Sequence, residues 1–188
     1  MLSKDLQTHA KEVARNIRNN NYEVSEQGIV LPKMAGALAK GEYHHWSNGE
    51  DHRVDGNLIT SEGLEYMLEV AIGGADTQSV LPSWFLGLWA GNYTPVAALT
   101  GADFVISASE ITSTTEGYSE ANRLAFVPNQ GTPGVMENNA NRCDFTIATA
   151  TSVTIRGGAL LSNNTRGDST GKLFSIARFA QDRIQYDG

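Results

Sequence analysis

The residues with the most chemical potential are Glu42, His44, His45, Glu50, Asp51 and His52, which place three of the chain's four histidines within nine residues of one another. Imidazole and carboxylate groups are metal ligands, and three of them with a water form a catalytic zinc site. Ligands must converge on one point, however. His44 and His45 are adjacent, so on a strand they face opposite sides, and no H-E-x-x-H spacing sets two histidines on one helix face. The expectation is a polar, hydrated segment beside Trp46, with no metal ligand and no cofactor assigned.

Nucleophilic chemistry has no better footing. The sequence contains no G-x-S-x-G elbow, no P-loop and no G-x-G-x-x-G. Cys143 alternates with Phe145 and Ile147 and reads as a small buried apolar residue rather than a nucleophile. Glu116 and Glu120 are a carboxylate pair of glycosidase type, but spacing in sequence does not fix their separation in space. A single cysteine excludes an intramolecular disulfide and a multi-cysteine metal site. No catalytic residue is assigned, and an enzyme is not expected.

Charge narrows the partners. The 188 residues carry a net charge of −7. Residues 61–140 hold nine acidic groups against one base, Arg123. That segment would repel phosphates, whereas duplex binding needs clustered Lys and Arg, so no nucleic-acid partner is expected. No apolar run approaches the roughly 20 residues of a membrane-spanning helix, and no membrane partner is expected either.

Periodicity places these residues on elements. Residues 3–20 read as a helix capped by Ser3, with a narrow apolar stripe of Leu6, Ala10, Val13 and Ile17. Residues 22–56 read as an extended arm with at most one short strand, at Ile29, Val30 and Leu31, and one helical turn. An arm orders on a partner, and a structureless stretch of this length otherwise conceals structure. The clearest helix covers 61–72. Leu64, Met67, Leu68, Ala71 and Ile72 match the apolar template, Ser61 is the expected cap, and Gly73-Gly74 is the stop. Beyond residue 80 the period is two. Strands are expected at 83–90, 104–106, 123–127, 143–149, 153–155, 159–161, 173–179 and 183–186, with polar loops at 129–141 and 162–169. On the first, Trp84 faces one side while Phe85 and Trp89 face the other. This is the pattern of a strand buried on both faces, or of one aromatic face in a subunit contact.

The segments NLITSEGLEYMLEVAIGG (57–74), SWFLGLWAGNYTPVAALTGADF (83–104) and SEITSTTEGYSEANR (109–123), with GALLSNNT (158–165) and Gly171-Lys172-Leu173, resemble a group of tailed-bacteriophage virion structural proteins. Those of similar size include capsid cement or decoration proteins. The resemblance covers about residues 57–180 and rests on structural residues, so it transfers no functional residue. With the short, evenly spaced strands it implies a mainly β, jelly-roll-like sandwich with one or two helices, and the N-terminal helical and extended arm, read from the residues alone, falls outside the resemblance. The arm would occupy 1–56 and the β-rich domain 57–188. It further implies a role clamping neighbouring major capsid subunits on the outer surface of the virion, after synthesis in the bacterial cytoplasm.

The partners expected are the major capsid protein and a second copy, a homodimer rather than a homotrimer. The expected anchors are Leu6, Val13, Ile17, Ile29, Val30, Leu31, Trp46, Trp84 and Trp89. The alternative is a tail-associated or receptor-binding virion module that presents the 129–141 and 162–169 loops to host glycan.

Overall fold

A computed structural model describes residues 22–24, 30–32, 39–72, 83–129 and 131–187. The chain divides into two compact units, Met1–Ala39 and Lys40–Gly188. In the first, β1 (Tyr22–Val24) pairs antiparallel with β2 (Val30–Pro32). The expected helix at 3–20 lies outside the described residues.

The second unit is mainly β. It contains β3 (Glu42–Ser47), β4 (Glu50–Gly56), β5 (Leu58–Ile59), α1 (Ser61–Ile72), β6 (Trp84–Trp89), α2 (Gly101–Ser107), β7 (Gly117–Tyr118), β8 (Leu124–Phe126), β9 (Ile147–Ala148), β10 (Val153–Leu161) and β11 (Leu173–Gln185). The main sheet is antiparallel, in the order β5-β11-β10-β6-β8, and β3-β4 and β7-β9 form separate two-stranded ribbons. The mainly β expectation therefore holds, as one five-stranded sheet with attached ribbons.

Both faces of the main sheet are covered. Trp89, Ala159, Leu161, Leu173 and Ile176 pack with Leu99, Phe104 and Ala108 in one cluster. Val153, Ile155 and Phe179 pack with Ile111, Tyr118, Tyr43 and Leu88 in the other. Leu88 and Trp89 thus enter different cores, as alternation along a strand requires. At the crossing of β6, β10 and β11 there is space for hydrogen alone: a Cβ on Gly157 would collide with the Ala177 carbonyl and come 2.5 Å from the Trp89 ring.

Several local expectations are corrected. Residues 40–56 are no arm. Asn48 (φ 49°) and Gly49 (φ 75°) make the left-handed pair that joins β3 to β4, the Asn-Gly signature of a type I′ hairpin. Within the ribbon, a register shift between His45 and Ser47 lets the strand bend. Residues 104–106 are helical, because Thr100 caps α2. Its hydroxyl accepts from the Asp103 N–H at 3.2 Å, and Phe104 and Ala108 are buried while Ile106 is 84% exposed. A strand would have put Phe104 and Ile106 on one side. Of 143–149 only Ile147–Ala148 pairs as strand, and 153–161 and 173–185 are each one continuous strand.

The cap of α1 is Thr60, one residue before Ser61. The Thr60 hydroxyl accepts from the Gly63 N–H at 3.0 Å and donates to the Leu173 carbonyl. Glu62 then bridges two elements, accepting from the N–H groups of Gly101 (2.9 Å) and Leu173 (2.7 Å).

Candidate functional site

The apolar stripe of α1 faces away from the core. Leu64 and Leu68 are 44% and 59% exposed, and Met67 and Ala71 are exposed with them. The buried side is Gly63 and Tyr66, with the Tyr66 ring edge-on to Trp84 at 5.2 Å. Periodicity identified the stripe correctly, but packing uses the other side. The reason lies in sterics and polar satisfaction. Gly63 lets the helix backbone sit against the Phe174 carbonyl, and Thr60 and Glu62 fix the same edge by hydrogen bonds.

The expected anchors separate on inspection. Leu6, Val13, Ile17 and Ile29 lie outside the described residues, and Val30 and Leu31 are described only as part of β2. Trp89 is wholly buried and belongs to the protomer's own core, which removes it as an anchor. Trp84 is half-buried between Tyr66 and Phe174, each 5.2 Å away. Trp46 is half-buried on the β3-β4 ribbon, stacked on His52 at 4.6 Å and under the Arg142 guanidinium at 4.1 Å.

The histidines divide as their adjacency predicts. His44 is exposed, with Nδ1 3.1 Å from His52 Nε2 and Nε2 3.6 Å from Glu42. Among the described residues, no three His, Cys, Asp or Glu groups are placed to hold a metal ion. His45 turns inward and stacks on Phe179, centroid to centroid 3.8 Å. Arg183 Nε donates to His45 Nδ1 at 2.9 Å, which places the proton on Nε2, where it is donated to Asp55 at 2.7 Å. Burial holds the His45 pKa below its ordinary value against the opposing pull of Asp55, and Arg183 lowers it further. Arg183 also binds the Asp51 carboxylate, and donates to the Asp51 carbonyl at 2.6 Å. The ribbon is thereby fastened to β11.

The groups considered for catalysis act as fasteners. Glu116 accepts from the Thr149 hydroxyl (2.7 Å) and the Ala150 N–H (3.2 Å), and Glu120 accepts from the Thr146 N–H (3.1 Å). Cys143 is half-buried in an irregular segment, and its thiol donates to the Ala125 carbonyl at 3.3 Å. Burial pushes that thiol up to about 11, which keeps it protonated at neutral pH and unreactive.

A buried ion pair that no motif in the sequence announces lies under the sheet edge. Arg123 makes two parallel bonds to Glu110, Nε to Oε1 at 2.6 Å and Nη2 to Oε2 at 2.8 Å, and both side chains are fully buried. Gly87 leaves room for the carboxylate, since a Cβ there would lie 3.0 Å from Glu110 Oε1. Arg123 also donates to the carbonyls of Asn163 (2.8 Å) and Asp168 (3.2 Å), while Glu110 accepts from the Gly167 N–H (2.8 Å). The pair thus anchors the 162–171 loop to the sheet. One signal in the sequence pointed to it: Arg123 is the lone base among nine acids. No protein-family model, no curated protein and no solved structure matches the chain.

Proposed function

We propose that this chain is a virion structural protein of the capsid cement type, clamping neighbouring major capsid subunits on the outside of the head. The observation that carries the reading is the outward apolar stripe of α1, formed by Leu64, Met67, Leu68 and Ala71. A helix normally turns such a stripe into its own core, and contiguous exposed apolar surface marks contact with another protein. The stripe is flanked by the exposed Glu65 and lies in the acidic part of the chain, so the complementary capsid surface is apolar with a basic rim.

One further feature supports the reading. The segments that resemble virion proteins supply this fold's fasteners, including Glu110, Arg123 and Asn163, as expected of a protein whose task is mechanical.

The test is occupancy of empty capsids by the full chain, counted by quantitative mass spectrometry. Hundreds of copies per head are expected, with loss of occupancy in the Leu64→Glu/Leu68→Glu variant. A few dozen copies, or full occupancy by that variant, would replace this reading with a tail-associated one.

A further inference from the structure

Beside the first residues of β6 the 162–171 loop forms the wall of an open cleft of about 520 Å³, within the size range of small-ligand sites. We propose that this cleft binds a neutral saccharide, a function independent of capsid clamping.

The lining carries the chemical argument. One aromatic ring, Phe85, is joined by hydroxyl and amide side chains, among them Ser83, Asn163, Asn164, Thr165 and Thr170, and no ionisable side chain lines the cleft. An anionic ligand would find no cation there. The nearby Arg123 is consumed by Glu110 and two carbonyls. A cationic ligand would find no carboxylate in the lining, and the nearby Asp168 is turned to the Thr170 N–H (2.6 Å) and the Asn163 amide (3.2 Å). A hydrocarbon ligand would strip water from six polar side chains without replacing its bonds. Sugar hydroxyls both donate and accept, as do the hydroxyls and amides of this wall, and the apolar face of a sugar ring suits an aromatic side chain.

Polar capacity remains free for such a ligand. Among the described residues the Ser83 hydroxyl and the Asn164 Nδ2 have no intramolecular partner. The hydroxyls of Ser162 and Thr170 each accept a bond, from the Lys172 N–H and the Asn163 amide, and keep a proton to donate. The wall is also fixed in advance. The Asn163 side chain accepts from the Thr165 N–H at 2.7 Å, and the Asn164 carbonyl accepts from the Arg123 N–H at 2.8 Å. Binding would order little that is not already ordered, which favours affinity for a weakly held ligand.

The experiment titrates the ¹⁵N-labelled full chain with galactose, N-acetylglucosamine and maltose, and with inorganic phosphate as the anionic control. Saturable amide shifts confined to residues 83–85 and 162–171 are expected with at least one sugar. Each of Asn164→Ala and Ser83→Ala should weaken that binding about fivefold, the loss of one hydrogen bond. Both side chains are exposed, and the backbone carbonyl that Arg123 uses survives the first change, so the unliganded spectrum should stay folded in both. The proposal is overturned if no sugar gives saturable shifts in the cleft, if both variants bind as the wild type does, or if phosphate produces the same shifts.

Discussion

Arg123 and Glu110 meet in a two-bond ion pair with no side-chain exposure on either partner. Removing one charge strands the other in a low-dielectric site, which costs about 3–5 kcal/mol, whereas replacing both by apolar groups of similar volume is far milder. Arg123→Met alone should therefore lower the urea-unfolding free energy by about that amount, and Glu110→Leu/Arg123→Met should recover part of the loss. The double variant should still loosen the 162–171 loop, which loses three backbone anchors, and faster amide exchange there would register it.

Gly157→Ala should fail to fold or lose several kcal/mol, about the cost of overpacking a dense core. Its added methyl meets the Ala177 backbone and the Trp89 ring at once, and neither can retreat from the centre of the sheet. Thermal unfolding with far-ultraviolet circular dichroism reads the outcome, and a melting temperature equal to the wild type's would contradict the packing described for β6, β10 and β11.

Stability should fall as pH drops below about 6.5, the ordinary histidine value. His45 is faced by Asp55 and Arg53 from β4 and by Arg183 and Phe179 from β11, and Asp51 meets the same Arg183 guanidinium. A proton on Nδ1 would oppose the Arg183 Nε donor. With the folded pKa depressed, the unfolded chain binds more protons, so stability is complete above the unfolded value. It declines through the window below and levels off under the folded pKa. Chemical denaturation between pH 7.5 and 5 measures this, and His45→Gln should flatten the curve. The lowered carboxyls of Asp51 and Asp168 act separately. Their contribution is present above the ordinary aspartate value, near 4, and is lost as pH falls through the lower folded values.

On α1 the two sides should respond oppositely. Leu64→Glu and Leu68→Glu change exposed positions and should each shift stability by no more than about 0.5 kcal/mol. Tyr66→Ala removes a buried ring packed on Trp84 and should cost about 3–5 kcal/mol, in line with large-to-small core changes. Equal losses on the two sides would show that the helix packs through its apolar stripe after all.

Local patterning along the chain is enough to say which residues share a face and where several of its turns fall. The 61–72 helix, the β6 alternation that sends Leu88 and Trp89 into different cores, the opposed His44 and His45, and the 162–169 loop all follow from local geometry. The β3-β4 hairpin was legible too, in Asn48-Gly49, but the uneven hydrophobic pattern around it concealed the signal. Which face of α1 packs is set by contacts distant in the chain, because periodicity shows that a stripe exists and not where it points. For 101–107 the Thr100–Asp103 pair is a local helix-start signal, and tertiary contact adds the Glu62 carboxylate on the Gly101 N–H, which together outweigh the β-branched Val105-Ile106 pair. The Glu110–Arg123 pair and the wall it holds join residues 13 and about 40 positions apart along the chain. Such partners are chosen by strand order and burial, which no local pattern encodes.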